Sequence, residues 1–273
     1  GVKGGFAQSA TGRRLRSIMV GMQFTVAMIL IIVTAIFFLQ YRYMINYDLG
    51  FDRSNIVTFA SWDLRDRSET VIERLQQHPD VENVTSSSAQ IFRNGQTWGR
   101  AYNGTEYVLR PNAVRWNLPA FFGFEIVDGV GFTPSSGERG EMIIMKSLNR
   151  EVGIPIGYHF PDGLTVVGAI KDVRLTSLAK NDDHHAFYCN NTHQCYYYIR
   201  LRAGADVEAF ADYVAKLTKE LAPAADEAEL YFLEEWVESL YEQTKKDMVL
   251  IGLFAILAIV IALMGVFGIV MFE

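Results

Sequence analysis

The chain has 273 residues, half of them hydrophobic and 21% charged, with a formal net charge of -6. That charge is unevenly spread: 21 of the 25 Lys and Arg and 30 of the 31 Asp and Glu fall between residues 40 and 247, so this interval carries -9. An acidic interval argues against DNA, RNA or an anionic lipid surface as its ligand, although the blander reading, that acidity keeps an exposed domain soluble, explains the number as well.

The N-terminal segment 1–17 holds Lys3, Arg13, Arg14 and Arg16 and no acidic residue. An uncharged apolar run, Ile18–Leu39, follows it, and a second, Met248–Phe272, closes the chain. Each exceeds the roughly 20 residues that an α-helix needs to cross a bilayer, so both read as membrane spans. The basic residues Arg13, Arg14 and Arg16 set the orientation by the positive-inside rule, with the N-terminus in the cytoplasm and residues 40–247 on the other side. The rival reading of the first run is a cleaved signal peptide. Against it stand the length of the run, the lack of a small-x-small cleavage site after Leu39, and the aromatic belt of Phe37, Phe38, Tyr41 and Tyr43. A start at Gly1 and a stop just after the second run suggest a piece of a longer protein.

Between the spans, 48–52 (Asp-Leu-Gly-Phe-Asp) is a polar turn leading into a β-rich run, Asn55–Ala60. Val71, Ile72 and Leu75 give helical spacing over 67–77, with Asp66 and Glu69 as an acidic capping pair and Pro79 as the stop. Extended segments are expected at 81–88, 106–116 and 124–127. A second unit follows, with strand 141–145, short helix 148–152, loop 153–157 (Gly-Ile-Pro-Ile-Gly) and strand 164–170. Residues 186–188 and 196–201 read as the arms of a hairpin, and Val207 to Leu221 as an amphipathic helix. Segment 229–233 is extended. Residues 234–246 read as a helix, and with no Pro or Gly before Met248 it would run on into the second span as one rod ending at Phe272.

Chemistry-bearing motifs are sparse. The chain lacks Gly-x-x-x-x-Gly-Lys-Ser/Thr, Gly-x-Ser-x-Gly and His-Glu-x-x-His, so no catalytic residues, cofactor site or metal site are assigned. Cys189 and Cys195 bracket the expected hairpin loop in what would be an oxidising compartment. A disulfide is the first reading, free thiols the second, and a metal site with His184, His185 and His193 the third, because the spacing fits no zinc pattern. In the second span, Ala255, Ala258, Ala262 and Gly265 recur at spacings of 3, 4 and 3, a small-residue face suited to close helix packing, while Gln23 and Thr34 of the first span are candidates for interhelical hydrogen bonds.

Several stretches together resemble the MacB/FtsX-like permease subunits of ABC transporters, particularly those of the Bacteroidota. They are 12–16 (Gly-Arg-Arg-Leu-Arg) before Gln23-Phe24, the turn 48–52, 155–157 (Pro-Ile-Gly), 166–173 (Val-Val-Gly-Ala-Ile-Lys-Asp-Val), and 262–268 (Ala-Leu-Met-Gly-Val-Phe-Gly). The resemblance implies an α+β periplasmic core domain of two subdomains between two transmembrane helices, divided as 1–17, 18–39, 40–247 and 248–272. It also implies a non-enzymatic permease in the bacterial inner membrane, dimeric through a second permease copy. The expected partners are a separate cytoplasmic ATPase subunit that binds the ATP, membrane lipid and a periplasmic protein, with work in export, efflux or lipoprotein handling. A sensor ectodomain of a chemoreceptor or histidine kinase is the alternative from another class.

Overall fold

A computed structural model describes residues 10–47, 49–92, 95–175, 184–226, 228–239 and 241–271. Lys3, Asp48 and Phe272, which the sequence reading uses, lie outside them, as does one residue of the helix expected over 234–246. The chain divides into two compact units, one of residues 1–47 with 238–273 and one of residues 48–237.

The first unit consists of two long helices, α1 (Ala10–Ile45) and α7 (Glu242–Val270). Their long apolar stretches, Ser17–Ile45 and Glu242–Phe267, are each sufficient in length and composition to span a membrane, and nearly all of that surface faces outward from the helix pair. Arg13, Arg14 and Arg16 fall in the first turns of α1, so the basic segment is helical from Ala10 onward.

The second unit carries β1 (Ile56–Ala60), α2 (Ser68–Gln76), β2 (Val81–Ser87), β3 (Trp98–Tyr102), β4 (Thr105–Val114), α3 (Leu118–Phe121), β5 (Ile126–Gly129), β6 (Glu141–Met145), α4 (Lys146–Val152), β7 (Thr165–Ile170), β8 (His184–Cys189), β9 (Tyr196–Leu201), α5 (Val207–Leu221) and β10 (Tyr231–Phe232). Helix α6 (Leu233–Ser239) follows. The strands form one sheet in the order β10-β1-β9-β2-β4-β8-β6-β7-β5, with β3 on β4.

Two subdomains are built into that sheet. The chain order β1-α2-β2, then β9-α5-β10, with sheet order β10-β1-β9-β2, is the split βαβ arrangement of ferredoxin-like folds, and everything from 88 to 195 is inserted between β2 and β9. The insert supplies β4, parallel to β8, and the β6-α4-β7 unit with its parallel pair. The two sheet halves join at a single residue pair, Ser87 with Val114, flanked by hydrogen bonds from Ser88 N–H to the Ala113 carbonyl and from Arg115 N–H to the Ser86 carbonyl, each 3.0 Å.

Alternation along the strands assigns the cores. Val57, Phe59, Tyr197 and Ile199 face α2 (Val71, Ile72, Leu75) and α5 (Phe210, Val214, Leu217). On the other face, Ile56 and Tyr198 of the first subdomain join Ile143, Met145, Ile170 and Phe187 of the insert in one cluster with Phe122 and Phe124. Met142, Ile144 and Val166 meet Leu148 of α4 in a third. The middle cluster spans both subdomains and holds them together, since burying large side chains stabilises by about 1.5–3 kcal/mol each.

Three expectations are corrected here. The arms β8 and β9 are not a hairpin: β8 lies between β4 and β6, β9 lies between β1 and β2, and β2 and β4 stand between them. Period-2 alternation identifies a strand but not its neighbour, and β8 takes β4 as a parallel partner. The capping pair is absent, because no side chain caps α2 and Glu69 turns instead to Arg115. Finally, the single rod is interrupted. Helix α6 ends at Ser239, Tyr241 N–H donates to the Glu238 carbonyl at 2.9 Å in a turn, and α7 starts at Glu242. The tighter bond breaks the i to i+4 ladder with no Gly or Pro to announce it.

Candidate functional site

Within the second unit, the stretches that suggested a family, 48–52, 155–157 and 166–173, are structural, and they are joined by backbone contacts. Gly50 sits at φ +80 and packs on the 172–173 backbone, where an added Cβ would stand 3.3 Å from the Asp172 carbonyl oxygen; Arg174 N–H donates to the Leu49 carbonyl at 2.9 Å. Phe51 enters the aromatic cluster of Phe92, Phe122 and Phe124, and the Asp52 carboxylate accepts from Arg200 at 2.8 Å. Asp172 caps the other direction by accepting from Ser147 N–H at 2.9 Å. Within 155–157, Gly157 has φ +88 and its N–H donates to the Val166 carbonyl. These stretches therefore tie the start of the domain to β7.

A polar groove of about 590 Å³ lies at the junction of the subdomains, lined by residues 66–70, Arg115, Trp116, Pro134 and 191–193. It sits past the C-terminal ends of β1, β2 and β4, whereas the chain joins β1 and leaves β10 at the opposite end of the sheet. Arg115, 91% buried, grips Glu69 with both terminal guanidinium nitrogens, Nη1 donating to Oε2 and Nη2 to Oε1 at 2.8 Å. Those hydrogen bonds hold the Glu69 carboxyl below its ordinary range. Asn191 pins the loop after β8 by accepting from Trp116 N–H at 3.1 Å and donating to the Pro134 carbonyl at 2.8 Å. His193, at φ +57, lies 3.5 Å from Asp66. Sequence reasoning missed this groove because its residues are scattered over four segments and carry no motif.

The two cysteines lie apart. Cys189 pairs in register with Val114, Val114 with Ser87, and Ser87 with Tyr196, so three inter-strand steps, about 14 Å, separate Cys189 from the residue after Cys195. A disulfide needs Cα atoms within about 7 Å. Both thiols are free and buried, which corrects the disulfide expectation. Nor do the histidines gather. Buried His185 contacts Asn112, His184 contacts Ser147 and Glu151, and no group of three metal-ligating side chains occurs among the described residues.

In the helical unit, covered positions on α1 recur at Gln23, Ala27, Leu30, Thr34, Phe37 and Tyr41, and on α7 at Met248, Ile251, Ala255, Ala258, Ala262 and Gly265. Alternating spacings of three and four are the heptad signature of a left-handed seam. Ala255 and Ala262 are buried, Ala258 and Gly265 half-buried, and the helix they pack on is α1: a Cβ on Gly252 would stand 3.7 Å from Thr34 Cγ2, one on Gly265 2.6 Å from Gln23 Oε1. The helices are therefore antiparallel. Thr34 does not bond across the seam; its hydroxyl donates to the Leu30 carbonyl of its own helix at 2.7 Å. The Gln23 carbonyl oxygen is buried with no hydrogen-bond partner among the described residues.

The chain is similar to the periplasmic region of MacB from Actinobacillus actinomycetemcomitans, with TM-score 0.51 and 11% identity over 72% of this chain and 97% of that one. It is similar also to the extracellular domain of the noncanonic ABC-type transporter YknZ from Gram-positive bacteria, with TM-score 0.50 and 13% identity over 65% of this chain and all of that one. No protein-family profile and no curated protein sequence matches the chain. The fold is thus the MacB periplasmic fold, with two helices suited to membrane spanning flanking it, as the resemblance implied.

Proposed function

We propose that this chain is the first-span, ectodomain and second-span portion of an ABC-transporter permease, working without chemistry of its own. In this reading the N-terminus is cytoplasmic, the ectodomain is periplasmic, and the protein sits in the inner membrane as a dimer. A separate cytoplasmic ATPase binds the ATP, and its cycle moves the helices, which relay the movement to the ectodomain for export, efflux or handling of a periplasmic partner. The observation that carries the proposal is an ectodomain of transporter type whose two chain connections lead into apolar helices sharing a close heptad seam. The sparse motif content agrees with it. A relay through the helix pair needs no stiff rod beyond it, so the turn at Tyr241 is compatible with transmission.

The test uses the full-length protein in its native membrane. Reporter fusions at residue 10 and near residue 100 are expected to report cytoplasm and periplasm respectively, and the reverse pattern would sink the orientation. Isolated under mild detergent, the protein is expected to bring with it an ATP-hydrolysing subunit. Ala262→Leu, which wedges the seam, is expected to keep that association while abolishing ATP-dependent function at the periplasmic side. A full-length gene product that ends in a kinase or a signalling coiled coil would replace the transporter reading with the sensor one.

A further inference from the structure

The helix seam contains one side chain that fits poorly with everything around it, unless it has a job of its own. Gln23 occupies a core position of the heptad pattern on α1, where its neighbours along the seam are Val20 and Ala27. Its carbonyl oxygen is fully buried and has no hydrogen-bond partner among the described residues. Such an atom is costly in an apolar setting, so its position is informative. The oxygen lies against the bare Cα of Gly265, 2.6 Å from where a Cβ would be built, close enough that any side chain there would have to expel it. The contact available to it is with the glycine's own Cα–H, a weak interaction that recurs where helices approach closely.

The slot occurs in one alignment only. If α1 slipped by one heptad along α7, Ala258 would replace Gly265 opposite Gln23, and its methyl group would occupy the place of the carbonyl oxygen. Gly252, the other glycine of the seam, stands opposite Thr34 and is thirteen residues away, which is not a whole number of heptads. Of the core positions on α7 (Met248, Ile251, Ala255, Ala258, Ala262 and Gly265), Gly265 alone lacks a Cβ, so it alone leaves room for the Gln23 oxygen. We infer that Gln23 and Gly265 form a register pin: a polar knob in a glycine slot that fixes the axial alignment of the two helices, so that they move as one body instead of sliding past each other. This rests on the permease reading only in saying what the rigid pair is for. The pin itself is a property of the seam.

Cross-linking in membranes of cells expressing the full-length protein tests it. Thr34→Cys with Gly252→Cys reports the native register, since those positions are already in contact, and Thr34→Cys with Lys245→Cys reports the slip of one heptad that would bring Ala258 opposite Gln23. With Gln23 and Gly265 intact, oxidation is expected to join the first pair and not the second. Gly265→Leu is expected to cut the first cross-link about tenfold, the size of a contact-pair coupling, and Gln23→Ala in the same chain to restore it. Gln23→Ala alone is expected to let the slipped pair form. If Gly265→Leu prevents the protein from accumulating, Gln23→Ala alone decides. Exclusive native cross-linking in that variant, or an undiminished native cross-link in Gly265→Leu, overturns the pin. Because the readout is helix alignment and not transport, its failure leaves the permease reading untouched, and the failure of that reading leaves the pin standing.

Discussion

At the scale of single residues, burial and pairing decide what each side chain can do. Burial pushes the Cys189 thiol up to about 12 and raises Cys195 as well, so neither forms the thiolate that attacks an alkylating reagent. Both cysteines are expected to resist iodoacetamide at pH 8 in the folded domain and to take one label each in guanidinium, read as two added labels by mass spectrometry without reductant. A disulfide-linked peptide would contradict this. Glu69 behaves differently because its partner is cationic. Its folded-state value is depressed by the Arg115 hydrogen bonds, so the stabilisation is complete above the unfolded value, near 4, and is lost as pH falls through the folded value. Glu69→Gln is therefore expected to lower stability at pH 7 and to converge with wild type in strong acid. The gap is expected to be about 1 kcal/mol or less, since the Glu69 side chain is 56% exposed and the pair is partly screened. Thermal melts at pH 7 and pH 3 check it; a difference that persists or widens in acid would show that the pair is not its source.

At the scale of elements, glycines distinguish two physical demands. Between β5 and β7 the backbones approach so closely that a Cβ on Gly168 would stand 2.3 Å from the Val130 carbonyl oxygen, and one on Gly129 2.2 Å from that of Val167. Gly168→Ala is expected to cost about 2–3 kcal/mol in urea unfolding, because backbone and not a movable side chain is in the way. The β3-β4 turn offers the contrast. Asn103 and Gly104 have φ of +48 and +80, and nothing lies near the Gly104 Cβ position. Gly104→Ala is expected to cost only about 1 kcal/mol, from backbone conformation alone. Equal losses for the two variants would show that close approach is not what Gly168 provides. The Asn103-Gly104 pair was also a readable hairpin signal, and it would have located β3, which hydrophobic alternation left unseen.

At the scale of the molecule, all three hydrophobic clusters lie within residues 48–237. A secreted fragment of those residues is expected to be soluble and folded without the helices. Because Ile56 and Tyr198 share a cluster with Ile143 and Phe187, the subdomains are expected to unfold together, in one transition seen at the same denaturant concentration by circular dichroism and by tryptophan fluorescence. Two separated transitions would mean that the shared cluster does not couple them.

The sequence by itself determined what is local or one-dimensional. Uncharged runs long enough to cross a bilayer, strands such as Ile56–Ala60 and Glu141–Met145, and the helix Val207–Leu221 follow from composition and periodicity, because each is fixed by which residues must leave water. Even the small-residue face of α7 was legible, for spacing alone places its members on one side. Tertiary structure decided whatever depends on partners distant in sequence: that β8 pairs with β4 and not β9, that Cys189 and Cys195 are therefore apart, that Glu69 reaches Arg115 and shapes a groove from four segments, and that Gln23 meets Gly265. Strand neighbours and facing helices are chosen by the combined burial of the whole chain, and no window along it contains that sum.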